Sequence, residues 1–195
     1  MRYEKGHKDA SRRQIIKVAG ERFRCDGIAA SGLASVMSDA GLTNGAFYAH
    51  FDSKAELVRE TVSAALEDLS NQVEAAIAAG GLEAAIAIYL SPQHRDDPAH
   101  GCSFATLLPE LARQPAEARQ LYAERFQTLV RQLASALPPQ TTNPDATAMA
   151  LFATLVGTLQ LARILAGTDL STRMLEAGAE AALQLAKTDQ GGTVL

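Results

Sequence analysis

Two cysteines and four histidines are the side chains of this sequence best equipped for covalent or metal chemistry, and their spacing supports neither. His7, His50, His94 and His100 stand at no metal-ligand interval with cysteine or carboxylate. His94, Asp96, Asp97 and His100 share one loop, but as a run of polar residues rather than a zinc-binding pattern. No nucleophile is paired with a base and no glycine-rich phosphate loop follows a strand, so neither catalysis nor a metal nor a cofactor is expected. Cys102 is the reactive candidate. It follows Gly101 near His100 at the start of a helix, where the helix field and an imidazolium lower a thiol pKa. Cys25 falls within a helix and reads as structural.

Recognition chemistry is concentrated in Thr43-Asn44-Gly45-Ala46-Phe47-Tyr48-Ala49-His50. Small Gly45 and Ala46 let a backbone approach base edges closely, Asn44 can read a base, and Tyr48 and His50 can donate to phosphate. Thr43 is placed to cap the helix that carries them. A preceding short helix from Ser31, its N-cap and a further candidate DNA contact, to Gly41 has Leu33, Val36, Met37 and Ala40 on its core face. Two short helices joined at Gly41-Leu42 form a helix-turn-helix, whose second helix enters a major groove by its N-terminal end.

The elements that must hold this motif are helical throughout. Alanine supplies 37 residues and leucine 24, against 15 valine plus isoleucine, a balance that favours helix over strand. A first helix spans about Asp9–Cys25 with Ile15, Ile16, Ala19 and Phe23 on one stripe, and Asp26-Gly27 stops it. Ser53 caps a long fourth helix reaching Gly80-Gly81, and a fifth occupies Leu82–Leu90. Ser91–His100 reads as a loop. A sixth helix runs from Cys102 to Gln114 with Pro109 inside it, a seventh from Pro115 to Leu137, an eighth from an Asp145 cap and a ninth from a Ser171 cap to about Lys187. The fold expected is all-α, about nine helices in two domains: residues 1–52, with the motif at 31–51, and residues 53–195.

Residues 1–24 carry eight Lys and Arg against three Asp and Glu, whereas residues 61–195 carry 8 basic and 14 acidic side chains. A basic end on an acidic body suits a reader of nucleic acid. Within that end Tyr3–Lys8, including Lys5, reads as a basic arm able to reach a minor groove or flanking phosphates. Two cysteines make no disulfide framework, and no apolar run follows the basic N-terminus. The longest uncharged stretch, residues 146–162, is short for a span. A cytoplasmic protein with no membrane partner is expected.

The string Ala40-Gly41-Leu42-Thr43-Asn44-Gly45-Ala46-Phe47-Tyr48-Ala49-His50-Phe51-Asp52-Ser53-Lys54-Ala55-Glu56-Leu57 closely resembles the signature of the TetR family of bacterial transcriptional regulators. The resemblance covers residues 8–66. It implies a homodimer with one N-terminal domain on each half of a palindromic DNA operator, and a variable helical domain that dimerises and binds a small effector. By position it assigns Thr43, Asn44, Gly45, Ala46, Tyr48, Ala49 and His50 to the recognition helix and Lys54 to a DNA backbone contact. Phe47 and Phe51 match core positions. The function implied is a ligand-responsive regulator, a repressor released by its effector. The alternative is a helical small-molecule-binding protein or small enzyme that keeps the motif as scaffold.

The second domain offers two further expectations. Leu175, Ala179, Ala182 and Leu183 recur on the ninth helix, and the eighth is apolar all round, so these two helices are expected to pair with their symmetry mates as a four-helix bundle. Pro109 kinks the sixth helix beside a loop, a reasonable cavity wall. Tyr89, Cys102, Phe104, Thr106, Leu108, Leu111, Tyr122 and Phe126 are the candidate lining, with Glu110, Thr106 or the tyrosine hydroxyls as polar anchors. A small effector, apolar or electrophilic, would fill it or modify Cys102. Filling is the favoured route.

Overall fold

The computed structural model describes the backbone of residues 2–188 and the side chains of residues 6–187. Eight α-helices and two short 3₁₀ helices make up its regular structure: α1 (Arg2–Asp26), α2 (Leu33–Asp39), a 3₁₀ helix (Asn44–Ala49), α3 (Lys54–Tyr89), α4 (Pro92–Asp96), a second 3₁₀ turn (Pro98–His100), α5 (Ser103–Leu111), α6 (Ala116–Ser135), α7 (Pro144–Ile164) and α8 (Asp169–Thr188). Among the described residues there is no strand.

Several helix ends follow the expected chemistry and several do not. Ser53 caps α3 by accepting from the Glu56 N–H at 3.1 Å, and the Glu56 carboxylate reaches back to the Asp52 N–H at 2.6 Å. The helix break foreseen after residue 79 is present, since Gly80 and Gly81 leave helical geometry inside α3. Ser31 does not cap α2. Gly32 holds that position, and the Ser31 hydroxyl turns inward to donate to the Gly27 carbonyl at 2.7 Å. Asn143 rather than Asp145 caps α7. Ser171 lies inside α8, fully buried and donating to the Ala162 carbonyl at 2.7 Å. The stretch 91–100 is a short helix and a 3₁₀ turn rather than a loop, begun by the Ser91 cap on His94. Finally, α1 starts at Arg2, so Tyr3–Lys8 continues the helix instead of forming an extended arm.

Two apolar cores organise the chain, and they do not divide at residue 52. The first gathers Ile15, Ala19 and Phe23 of α1, Val36 and Met37 of α2, Phe47, Phe51, and Leu57, Val58 and Val62 of α3. It also takes in Leu107, Leu111, Ala118 and Tyr122 from α5 and α6. The second is built on the later part of α3 with α6, α7 and α8. Phe104 of α5 packs against both, so α5 bridges the two. Helix α7, apolar enough to meet the length and hydropathy of a membrane span, has half of its most apolar stretch buried inside the protein.

Helices α7 and α8 meet closely because Gly178 lets them: a Cβ there would lie 2.2 Å from Cγ2 of Thr158. The α8 stripe has a partner within this chain. Leu175 and Ala182 are buried within their own chain, and Ala179 and Leu183 are half-buried against the same core. The small residues seat α8 on α7. The apolar face left open is on α7, where Met149, Ala153, Gly157, Leu161 and Ile164 are exposed at intervals of three and four.

Candidate nucleic-acid interface

Gly41, with φ of +74°, takes the left-handed conformation that closes the turn after α2, a conformation L side chains resist. The Leu42 N–H then donates to the Met37 carbonyl at 2.9 Å. Beyond it the recognition segment is one 3₁₀ helix over Asn44–Ala49, with Thr43 as an N-cap that supplies its backbone carbonyl and not its hydroxyl. Phe47 anchors this helix: it is buried, stacks on Phe51 at 5.6 Å and meets Tyr48 edge-on at 5.2 Å. With that ring fixed inward, the opposite side must face out. Thr43, Asn44, Gly45 and Ala49 are exposed and Tyr48 is 72% exposed, whereas Ala46 and His50 are half-buried.

Two of the predicted DNA contacts have other duties, and a third cannot be placed. Ser31 is buried in the first core and cannot reach a ligand outside it. Lys54, half-buried, donates from Nζ to the Ile28 carbonyl at 2.8 Å, which ties one of its three N–H donors to the turn after α1. Lys5 has its side chain outside the described residues. His50 keeps its place beside the recognition helix, and burial, with Lys8 and Arg12 nearby, holds its imidazole below the ordinary pKa. It is therefore neutral at pH 7.

The basic face of α1 is thinner than its composition promised. Arg12 pairs with Glu60 and with Glu56, and its guanidinium lies 4.6 Å over the Phe51 ring. Arg22 pairs with Asp39 and Asp26. Arg24 is drawn inward, donating to the Ala99 carbonyl at 2.6 Å. Lys8, Arg13 and Lys17 are exposed, and no ion pair among the described residues involves them. Spacing alone could not sort these cations, because Asp39 comes from α2, Glu56 and Glu60 from α3 and the Ala99 carbonyl from the segment after α4.

A cavity of about 550 Å³ lies between α1, α3 and the segment 91–102. Lys17, Glu21 and Arg24 form one wall, Leu69, Val73, Ile88 and Tyr89 another, and His94, His100 and Cys102 a third. Of the eight residues predicted to line an effector site, Tyr89 and Cys102 are on it. Phe104 and Phe126 instead make an aromatic cluster with Phe152, at centroid distances of 5.7 and 5.8 Å. Thr106 donates back to the Cys102 carbonyl, Leu108 is half exposed to solvent, and Leu111 and Tyr122 belong to the first core. Burial drives the Tyr122 phenol up to about 12. Glu110 points to the turn after α1 rather than into a cavity. The cavity is displaced from α5 because that helix spends its apolar face on joining the two cores.

Cys102 is buried, and burial pushes its thiol above the ordinary range. Its backbone N–H donates to Nε2 of His94, so the imidazole bonded at this residue acts as an acceptor. His100 faces Asp97 and Glu21 instead.

Comparison with known proteins places this geometry. The profile of the bacterial regulatory proteins of the tetR family matches residues 15–61. The HTH-type transcriptional regulator TtgR of Pseudomonas putida is 42% identical over 59 residues, 30% of this chain and 28% of that protein. The HTH-type transcriptional repressor KstR2 of Rhodococcus jostii is 30% identical over 73 residues, 37% of this chain and 36% of its own. The matched segment thus spans well under half of either relative. Over nearly the whole chain the fold is similar to that of reduced E. coli NemR, with a TM-score of 0.74 at 17% identity, covering 89% of this chain and 95% of that one. A TetR transcriptional regulator from Chloroflexus aurantiacus gives 0.75 at 20% identity, covering 96% of both.

Proposed function

This chain belongs to the TetR family of bacterial regulatory proteins, and we propose on that footing that it is a transcriptional regulator binding an operator in duplex DNA as a homodimer. The observation that carries the reading is the recognition helix itself. Phe47 is locked into the core, while Thr43, Asn44, Gly45 and Tyr48 stand outward on the adjoining face. Asn44 and Tyr48 thereby present an amide and a phenol on one face, groups able to meet base edges and phosphates.

Dimerisation is assigned to the open face of α7, through Met149, Ala153, Gly157, Leu161 and Ile164, continued by Leu170 of α8. Small residues at 153 and 157 allow two copies of α7 to cross closely, and the large ones flank the crossing. The regulator acts in the cytoplasm as a repressor. A small, largely apolar effector filling the cavity would touch α1 directly, and it releases DNA if it binds the DNA-free arrangement better. Covalent capture by Cys102 is disfavoured by the buried thiol.

A gel shift with the chromosomal segment upstream of its own coding sequence tests the reading. Retention of that segment in preference to unrelated DNA of equal length is expected. Equal retention of both, or of neither, would leave the helical small-molecule-binding alternative standing.

A further inference from the structure

The turn that follows α1 is held by a side chain from the other half of the molecule. Gly27 adopts φ of +86° and ends the helix, which points the next two N–H groups away from any carbonyl of α1. Both are taken by one carboxylate: Glu110 of α5 accepts from Ile28 N and from Ala29 N, each at 3.0 Å. The same peptide is gripped on its other side, since Lys54 donates to the Ile28 carbonyl at 2.8 Å. A Cβ on residue 27 would come within 3.2 Å of Glu110 Oε2, so glycine is needed here for contact as well as conformation.

The placement of Glu110 gives this contact reach. It follows Pro109, inside a nine-residue helix whose Leu107 and Leu111 are buried in the first core and whose Ala105 is buried in the second. Ile28 belongs to the first core and leads directly into α2. A rotation or slide of α5 therefore moves a charged acceptor bonded to the backbone from which the helix-turn-helix hangs. Hydrogen bonds to a carboxylate are stronger than neutral ones and tolerate little change of direction.

We propose that Glu110 is the positioning residue that sets the pose of the helix-turn-helix on the rest of the chain, through the N–H groups of Ile28 and Ala29. The consequence for DNA rests on the regulator reading above; the hold on the turn does not. The ligand-free arrangement is the DNA-competent one under that reading, so loosening Glu110 weakens DNA binding.

The test compares the full chain with Glu110→Ala and Glu110→Gln, and with Val130→Ala as a destabilised control in the second core. Hydrogen exchange at Ile28 and Ala29, without DNA, reads the hold. Loss of a bond to a charged acceptor should speed exchange at both amides about tenfold or more in Glu110→Ala, with a smaller change in Glu110→Gln, which retains one acceptor oxygen. Val130→Ala should leave these two amides level with their neighbours. In the gel shift on the upstream segment, Glu110→Ala should weaken binding about tenfold and Glu110→Gln should recover part of it. Unchanged exchange in Glu110→Ala overturns the proposal whatever the DNA result. Faster exchange with undiminished DNA binding overturns the positioning role. Should the wild-type chain shift no DNA, the regulator reading fails, and exchange alone decides whether Glu110 holds the turn.

Discussion

The backbone N–H of Cys102 donates to Nε2 of His94 at 3.1 Å, and that bond fixes the tautomer of the ring. With Nε2 an acceptor, Nδ1 carries the proton and donates it to the Tyr89 carbonyl at 2.7 Å. One neutral imidazole thus ties the end of α3 to the start of α5, across the segment that walls the cavity. Arg163 of α7 braces the same place by donating to the carbonyls of His94 and Arg95 at 2.9 and 3.1 Å.

A pH dependence follows. Burial, with Arg163 nearby, holds His94 below its ordinary pKa of 6.5 although the Tyr89 carbonyl and Asp97 favour the cation; burial also lowers His50, beside Lys8 and Arg12. In the unfolded chain both titrate at their ordinary value, so unfolding below about pH 6.5 takes up protons. The stability from these neutral rings is complete above that pH and declines as pH falls through it, levelling below the folded-state values. The melting temperature should be flat from pH 8 to 7 and fall towards pH 5.5. In a His94→Gln, His50→Gln double variant the fall should be shallower, and an equally steep fall would assign it to other groups.

Tyr48→Ala should weaken operator binding by about 1–3 kcal/mol without loss of helix content, because the ring is exposed and its removal leaves Phe47 in place. Lys8→Ala should act alike on all sequences and make the dependence of log K on log salt shallower by about one. Lys54→Met should behave differently. It removes the Ile28 bond, so its first effect is a lower melting temperature. Anisotropy across salt concentrations separates the first two, and thermal melting identifies the third.

On assembly, Ala153→Glu or Leu161→Glu should give a folded monomer, since each puts a carboxylate on the open face of α7 against its symmetry copy. Ala182→Glu should instead damage the chain itself, because Ala182 is fully buried against its own core. Light scattering and circular dichroism together distinguish these outcomes. A dimeric, helical Leu161→Glu would move the interface away from α7.

Thiol reagents should discriminate the cysteines. Cys25 is exposed and Cys102 buried, so N-ethylmaleimide at neutral pH should alkylate Cys25 and spare Cys102 until the chain is unfolded. Peptide mass spectrometry showing rapid labelling of native Cys102 would revive it as an electrophile sensor.

The all-helical fold was legible because helix periodicity and stop residues are local. Phe47 and Phe51 as anchors, the Ser53 cap and the break at Gly80-Gly81 are all written within a few neighbours of themselves. What escaped was decided by distant partners. Ser31 satisfies a helix end four residues back instead of capping forward, Lys54 is claimed by Ile28, and Glu110 by a turn more than eighty residues away. The α8 stripe showed that two helices pack closely without saying whether the partner is the same chain, and Thr158 beneath Gly178 supplies that answer. The cavity eluded spacing for a similar reason: α1, α3 and the 91–102 segment meet only in three dimensions.

The most direct test of the central claim is a nuclease footprint on the upstream segment. Two outward-facing recognition helices in one dimer should protect two half-sites of inverted sequence, separated by about one helical turn (~34 Å) or a multiple of it, with Tyr48→Ala losing both halves together. A single asymmetric patch, or no protection at concentrations where the chain is dimeric, would contradict the account.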